Sequence, residues 1–200
     1  FDFSVTVSSD EDTKAVFDDT KGIKWVNPGS AGLVKIDETT KAALQSTEAT
    51  PSEDGRQSTF KFEGITAGSY RLFYPYAETY YPNIKFTVPA NQTQEAGKTS
   101  SDIFAGMATE DVTATQGENN IQDVTYKTVG SYIQFRVYGK AGETVRYVSV
   151  VSSDNKLAGE YLVNAKDFTH TIMDGGTDRV LVALGEAGYT TTADFESSTG

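Results

Sequence analysis

"STFKFEGITAGSYRLFYPY", residues 58–76, decides the fold. Successive side chains of a strand point to opposite faces, so residues two apart share a face. On that rule Phe60 and Phe62 line one side of a strand that closes at Gly64. A second strand opens after Gly68, with Tyr70, Leu72 and Tyr74 on one face and Phe73 on the other. Nine of the chain's 22 Phe and Tyr residues fall between Phe60 and Phe86. A fully buried large apolar side chain contributes about 1.5–3 kcal/mol, so most of these rings are expected to form core. Proline has no N–H to give a ladder, and Pro75 and Pro82 therefore mark where the chain leaves the sheet or follows its edge. "PYAETYYP", residues 75–82, reads as the connecting loop, with Tyr76, Tyr80 and Tyr81 partly exposed.

The same period continues outward. "FDFSVTV", residues 1–7, alternates strictly, with Phe1, Phe3, Val5 and Val7 on one side, which predicts a half-buried strand. An acidic loop, "SSDEDTK", follows, and "AVFDDTKGIKWV" reads as a strand pair turning near Gly22. "VNPGSAG" is a turn cluster and "LVKI" a short strand. "DETTKAALQS", residues 37–46, suits one or two helical turns capped by Asp37 or Thr39. "STEATPSEDGRQS" reads as an exposed loop, "NIKFTVPA" as a strand, "NQTQEAGKTSSD" as a loop and "IFAGMATEDVTA" as strand-like. "TQGENNIQD" marks a change of character near Asn120. Beyond it "SYIQFRVYGKAGETVRYVSVVSS" predicts a hairpin, and "LAGEYLV", "FTHTIM" and "RVLVAL" predict further short strands. The expectation is an all-β chain of two tandem β-sandwich domains, residues 1–122 and 123–200.

Composition agrees. The 200 residues carry 12% aromatics and 18 glycines, a mixture suited to short strands and many turns. Net charge is −11, with 10 basic against 18 acidic residues up to 122 and 7 against 10 after it. No basic patch is present to neutralise phosphates or to meet an anionic membrane surface, so nucleic acid and direct membrane binding are poor expectations. The absence of cysteine removes disulfides, thiolate catalysis and thiolate metal sites. No apolar run reaches the ~18 residues of a membrane span, and the first residues lack the basic start and apolar run of a signal peptide.

Constellations that would carry chemistry are weak. Asp18–Asp19, Glu53–Asp54 and Glu110–Asp111 are adjacent acids in loop-like contexts, the pattern of solvated surface charge. His170 is the single histidine, and no G-x-S-x-G elbow accompanies it. "SDEDTK" and "DGGTD" cluster oxygens without the calcium-loop spacing. "NQT", residues 91–93, matches a glycosylation sequon. No enzyme, cofactor or dedicated metal site is expected. One rival reading is a surface glycan-binding β-sandwich, whose platform would be Trp25, Tyr76, Tyr80 and Tyr81. Buried rings and a detachable first strand would argue against it.

The pattern F-x-G-I-x-A-G-x-Y-x-x-F-Y-P-Y (62–76), followed by "VPANQTQ" (88–94) and "SSDIFAG" (100–106), resembles the fimbrillin-like proteins of Bacteroides-type bacteria. These are subunits, anchors and tips of type V pili. "FSVTV", "TKAVFDD" and "IKW" look like that family's opening, and residues 129–163 are similar to its second-domain start. The resemblance implies a transthyretin-like second domain. Family members continue well past residue 200, and "GYTTTADFESSTG" lacks a terminal strand's alternation, so a fragment or short variant is expected. The resemblance further implies a lipoprotein exported to the outer-membrane surface and the fimbrium, its lipid anchor outside this chain. A protease cuts after the first strand; here Lys14 and Ala15 would be the processing site. The released strand, Phe1, Phe3, Val5 and Val7, would be replaced by a strand from another pilus subunit, and an adhesive tip would also meet a host or bacterial surface ligand. Four such side chains, when buried, contribute about 6–12 kcal/mol before ordering costs.

Overall fold

A computed structural model describes residues 3–8, 25, 28–94, 105–116, 121–130, 139–173 and 175–191. The architecture is all-β in several sheets, with no helix among the described residues. The strands of the first half are β1 (Phe3–Ser8), β2 (Gly32–Lys35), β3 (Leu44–Gln45), β4 (Glu48–Pro51), β5 (Gln57–Phe62) and β6 (Gly68–Tyr74). Then come β7 (Asn83–Val88), β8 (Asn91–Thr93), β9 (Gly106–Ala108), β10 (Val112–Ala114) and β11 (Ile121–Thr128). The remainder are β12 (Thr144–Val145), β13 (Tyr147–Val151), β14 (Gly159–Asn164), β15 (His170–Ile172), β16 (Arg179–Ala183) and β17 (Tyr189–Thr190).

The alternation in β5 and β6 sorts their side chains as the sequence predicts. Phe60, Phe62, Tyr70 and Leu72 are buried in one apolar cluster with Trp25, Leu33, Val112, Val124 and Tyr126. Phe73, one residue out of phase, belongs to a second cluster with Val34, Ile84, Phe86, Met107 and Val163. β2 and β9 divide in the same way, Leu33 from Val34 and Ala108 from Met107. The β2–β6–β9 portion of the sheet is thus covered on both faces, which is why "GLVK" and "GMA" are almost wholly apolar rather than alternating.

The largest sheet runs β3-β2-β6-β9-β11-β1-β5-β4, with β10 also on β6. β11 changes partner along its length: residues 121–125 pair in parallel with β1, and 126–128 pair antiparallel with β9. Smaller sheets are β15-β14-β7, β13-β16-β8 and β12-β17. β7 pairs with β14 over six positions, and β8 runs parallel to β16. Strands from before residue 95 therefore share sheets with strands from beyond residue 158, and the position between 122 and 123 falls inside β11.

Three local expectations are corrected. Residues 37–46 are not helical: Asp37 sits at φ 63, a left-handed turn, and Leu44 pairs with Leu33 as β3. Ser46 fixes the segment, its Oγ accepting from the Ala31 N–H at 2.9 Å while its own N–H donates to the Ala31 carbonyl. Sheet pairing outweighs the modest helix propensity of so short a segment. The polar stretch 46–58 is only in part a loop: residues 48–51 form β4 and residues 57–58 open β5, joined by a tight turn at residues 52–56. Pro51 and Glu48 sit on β4, an edge strand where polar side chains face solvent, and Glu53 and Asp54 sit in the turn. "NQT" forms β8 rather than a loop, because β16 offers it an edge.

At Pro75 and Pro82 the chain leaves the ladder as expected, β6 ending at Tyr74 and β7 starting at Asn83. Both prolyl bonds are cis. The loop between them is held by Thr79, whose Oγ1 donates to the Asn83 carbonyl at 2.5 Å and accepts from the Lys85 N–H at 3.1 Å.

Candidate functional site

The segment with most to offer is the first strand and the slot it occupies. β1 is not at an edge: β5 lies against it antiparallel and β11 parallel. Phe3, Val5 and Val7 stand in register opposite Phe62, Phe60 and Ser58, and these three β5 residues are fully buried. Toward β11, Val5 and Val7 stand in register with Gln122 and Val124. Neighbouring strands lie about 4.8 Å apart, so taking β1 away would leave a slot about 9.6 Å wide between β5 and β11. Both walls would then show rows of unpaired N–H and C=O groups, the condition under which sheets recruit new strands.

The floor beneath β5 is aromatic and closely fitted. Trp25 stacks edge-to-face on Phe60 at 5.5 Å and on Tyr74 at 5.0 Å, with Tyr126 at 6.0 Å. Burial, reinforced by the neighbouring Tyr74 phenol, holds the Tyr126 hydroxyl well above the usual tyrosine range. Such a floor is stiff, since packed rings cannot slide to close a vacated slot without losing these contacts. On the opposite face of β6, Arg71 is nearly buried. Its Nη1 donates to the Ala108 and Thr109 carbonyls at 2.7 and 2.9 Å, and its Nη2 to Asp111 Oδ1 at 2.6 Å. That fork pins the β9–β10 turn to β6.

The predicted site residues distribute unevenly. Phe3, Val5 and Val7 are brought together on β1, whereas Phe1, Lys14 and Ala15 lie outside the described residues. The four rings of the glycan platform do not share an exposed face. Trp25 is 4% exposed in the first cluster, and Tyr81 is 5% exposed in the second with Tyr76 packed against it. Tyr80 alone of the four is well exposed, at 46%. The loop's rings pack down because Tyr76 N–H binds the Ser30 carbonyl at 2.8 Å and Lys166 caps the Tyr81 ring at 5.4 Å.

The acid pairs do structural work. Asp54 accepts from Ser52 Oγ at 2.6 Å and from the Arg56 N–H at 3.0 Å, which hold its carboxyl below the usual range. Glu110 accepts from the Thr125 N–H at 3.1 Å, and Asp111 receives Arg71. Asp18 and Asp19 lie outside the described residues. His170 is exposed on β15. Among the described residues no group of three or more His, Asp or Glu side chains is placed to hold a metal.

Ser58 and Arg71 were not singled out from the sequence. Arg71 carried a signal, a charge inside "SYRLFY" on the same face as Phe73. Ser58 carried none, since a serine beside a polar turn reads as surface.

Comparison with known proteins finds no matching family model, no matching curated protein and no matching solved structure.

Proposed function

We propose that this chain is a non-enzymatic pilus or fimbrial subunit, or an adhesin, of the fimbrillin-like kind, and that it assembles by strand addition after losing β1. Its partners are then other subunits of the same fibre, together with a surface ligand where the subunit is adhesive. Its place is the outer-membrane surface, held by a lipid anchor outside residues 1–200. On this reading the sheets belong to two tandem β-sandwich domains, the second transthyretin-like.

The observation that carries the proposal is the position of β1. It is the first of the described strands, and β5 and β11 pair with it on both sides. Cutting the chain behind it leaves β1 joined to the described strands that follow by hydrogen bonds and packing alone. A slot flanked by two unpaired edges and floored by buried aromatics gives main-chain affinity through the edges and selectivity through alternate side-chain positions. The residues that support the family reading are the F-x-G-I-x-A-G-x-Y-x-x-F-Y-P-Y run and "VPANQTQ".

The test is limited cleavage after Lys14 followed by native mass spectrometry and sizing. Residues 1–14 are expected to dissociate as the cut protein forms concentration-dependent oligomers, each subunit donating or accepting a strand. Cut protein that keeps the peptide and stays monomeric at high concentration overturns the proposal.

A further inference from the structure

Ser58 sits in β5 between two neighbours that offer its hydroxyl nothing. It is fully buried, and its Oγ has no hydrogen-bond partner among the described residues. Its register partner on one flank is Pro51 of β4, and on the other it is Val7 of β1. A buried hydroxyl without a partner keeps the full cost of leaving water. Residues directly opposite in an antiparallel pair have Cβ atoms about 5 Å apart, near enough for serine and threonine hydroxyls to bond across the strands. Threonine has the shape of valine with a hydroxyl in place of one methyl. The mismatch is therefore one atom deep and lies in the slot that β1 fills.

From this we infer that Ser58 selects the strand that takes the place of β1: the preferred occupant carries threonine or serine where β1 carries Val7. The inference rests on the strand-addition reading and adds the chemistry of the partner. That partner is a β-forming segment of a second chain, running antiparallel to β5 as β1 does. It is apolar opposite Phe62 and Phe60 and hydroxyl-bearing opposite Ser58. The resident strand, with valine at that position, is the weaker occupant and yields to such a segment once it has been cut free.

A site-specific protease sequence placed after Lys14 allows β1 to be severed in the otherwise complete chain, and its release can be timed by native mass spectrometry. Val7→Thr is expected to slow release about fivefold, the worth of one net hydrogen bond. Ser58→Ala alone is expected to slow release too, because it removes the unmatched hydroxyl. In the Ser58→Ala background Val7→Thr should instead hasten release, since the new hydroxyl then lacks a partner. That reversal of sign is the signature. The same four chains, left uncut and unfolded in urea, read the coupling between positions 7 and 58 separately. Release without coupling, or a Val7→Thr effect equal in both backgrounds, overturns the assignment to Ser58 alone. Coupling with a strand that never leaves overturns the strand-addition reading, and with it any part for Ser58 in choosing a partner.

Discussion

Gly32→Ala is a one-methyl change whose cost can be worked from the packing. Gly32 pairs with Phe73 across β2 and β6, and the Phe73 ring lies over it. A Cβ at position 32 would stand 2.1 Å from the ring's Cζ, 2.4 Å from Cε1 and 2.7 Å from Cε2. Ordinary contact begins at 3.4 Å, so the ring tip must retreat by 1.3 Å. It has little room, because Phe73 is fully buried and meets Phe86 edge-to-face at 6.2 Å. Overpacking of this sort costs about 1–3 kcal/mol, and an off-rotamer ring adds about 0.5–1.5 kcal/mol. The loss of unfolded-state freedom on replacing glycine returns about 0.4–1 kcal/mol. The net expectation is a destabilisation of about 2 kcal/mol, a fall in Tm of about 4–8 °C for a chain of this size. Urea unfolding of Gly32→Ala, Phe73→Leu and the double variant tests the cause as well as the size. Phe73→Leu removes the clashing atoms, so the double variant should cost clearly less than the two single changes together. Gly32→Ala at wild-type stability, or strictly additive costs, would refute the argument.

The Arg71 fork predicts an asymmetry between its two ends. Arg71→Met leaves the Ala108 and Thr109 carbonyls without their donor and should cost about 3 kcal/mol in urea unfolding, whereas Asp111→Asn, at a half-exposed carboxylate, should cost about 1 kcal/mol or less. Equal losses would show that the ion pair, not the carbonyls, carries the interaction. Tyr126 predicts a pH dependence. The folded protein holds this phenol well above its ordinary 10.0, so the unfolded chain gives up the proton first, and stability falls as pH climbs past 10.0 toward the folded value. Tyr126→Phe lacks that loss. Its stability relative to wild type should be flat below pH ~9 and then rise by up to about 1.4 kcal/mol per pH unit above pH ~10. A difference that stays constant through alkaline pH would sink the assignment.

What could be read from the sequence was whatever depends on neighbouring residues. The split of Tyr70 and Leu72 from Phe73 follows from a period of two, and the exits at Pro75 and Pro82 follow from a missing N–H. What could not be read depends on partners far along the chain. "DETTKAALQS" has helix formers, yet Leu44 is claimed by Leu33 and Ser46 by Ala31. "NQT" has no strand signature and becomes one because β16 lies beside it. The pairing of β7 with β14 joins Phe86 to Tyr161, 75 positions apart, and no local pattern encodes such a meeting. At the site, the alternation of Phe3, Val5 and Val7 was plain. That β1 is hydrogen-bonded on both flanks was not, because its parallel neighbour β11 starts within "TQGENNIQD", the stretch read as a change of character near Asn120.

The two-sided bonding of β1 has a mechanical consequence. Tension applied along that strand shears both ladders at once, so the bonds to β5 and β11 share the load and must fail together. Lifting one end out of the sheet instead breaks them one after another, at far smaller force. A strand seated in this slot therefore resists being dragged lengthwise and gives way to peeling.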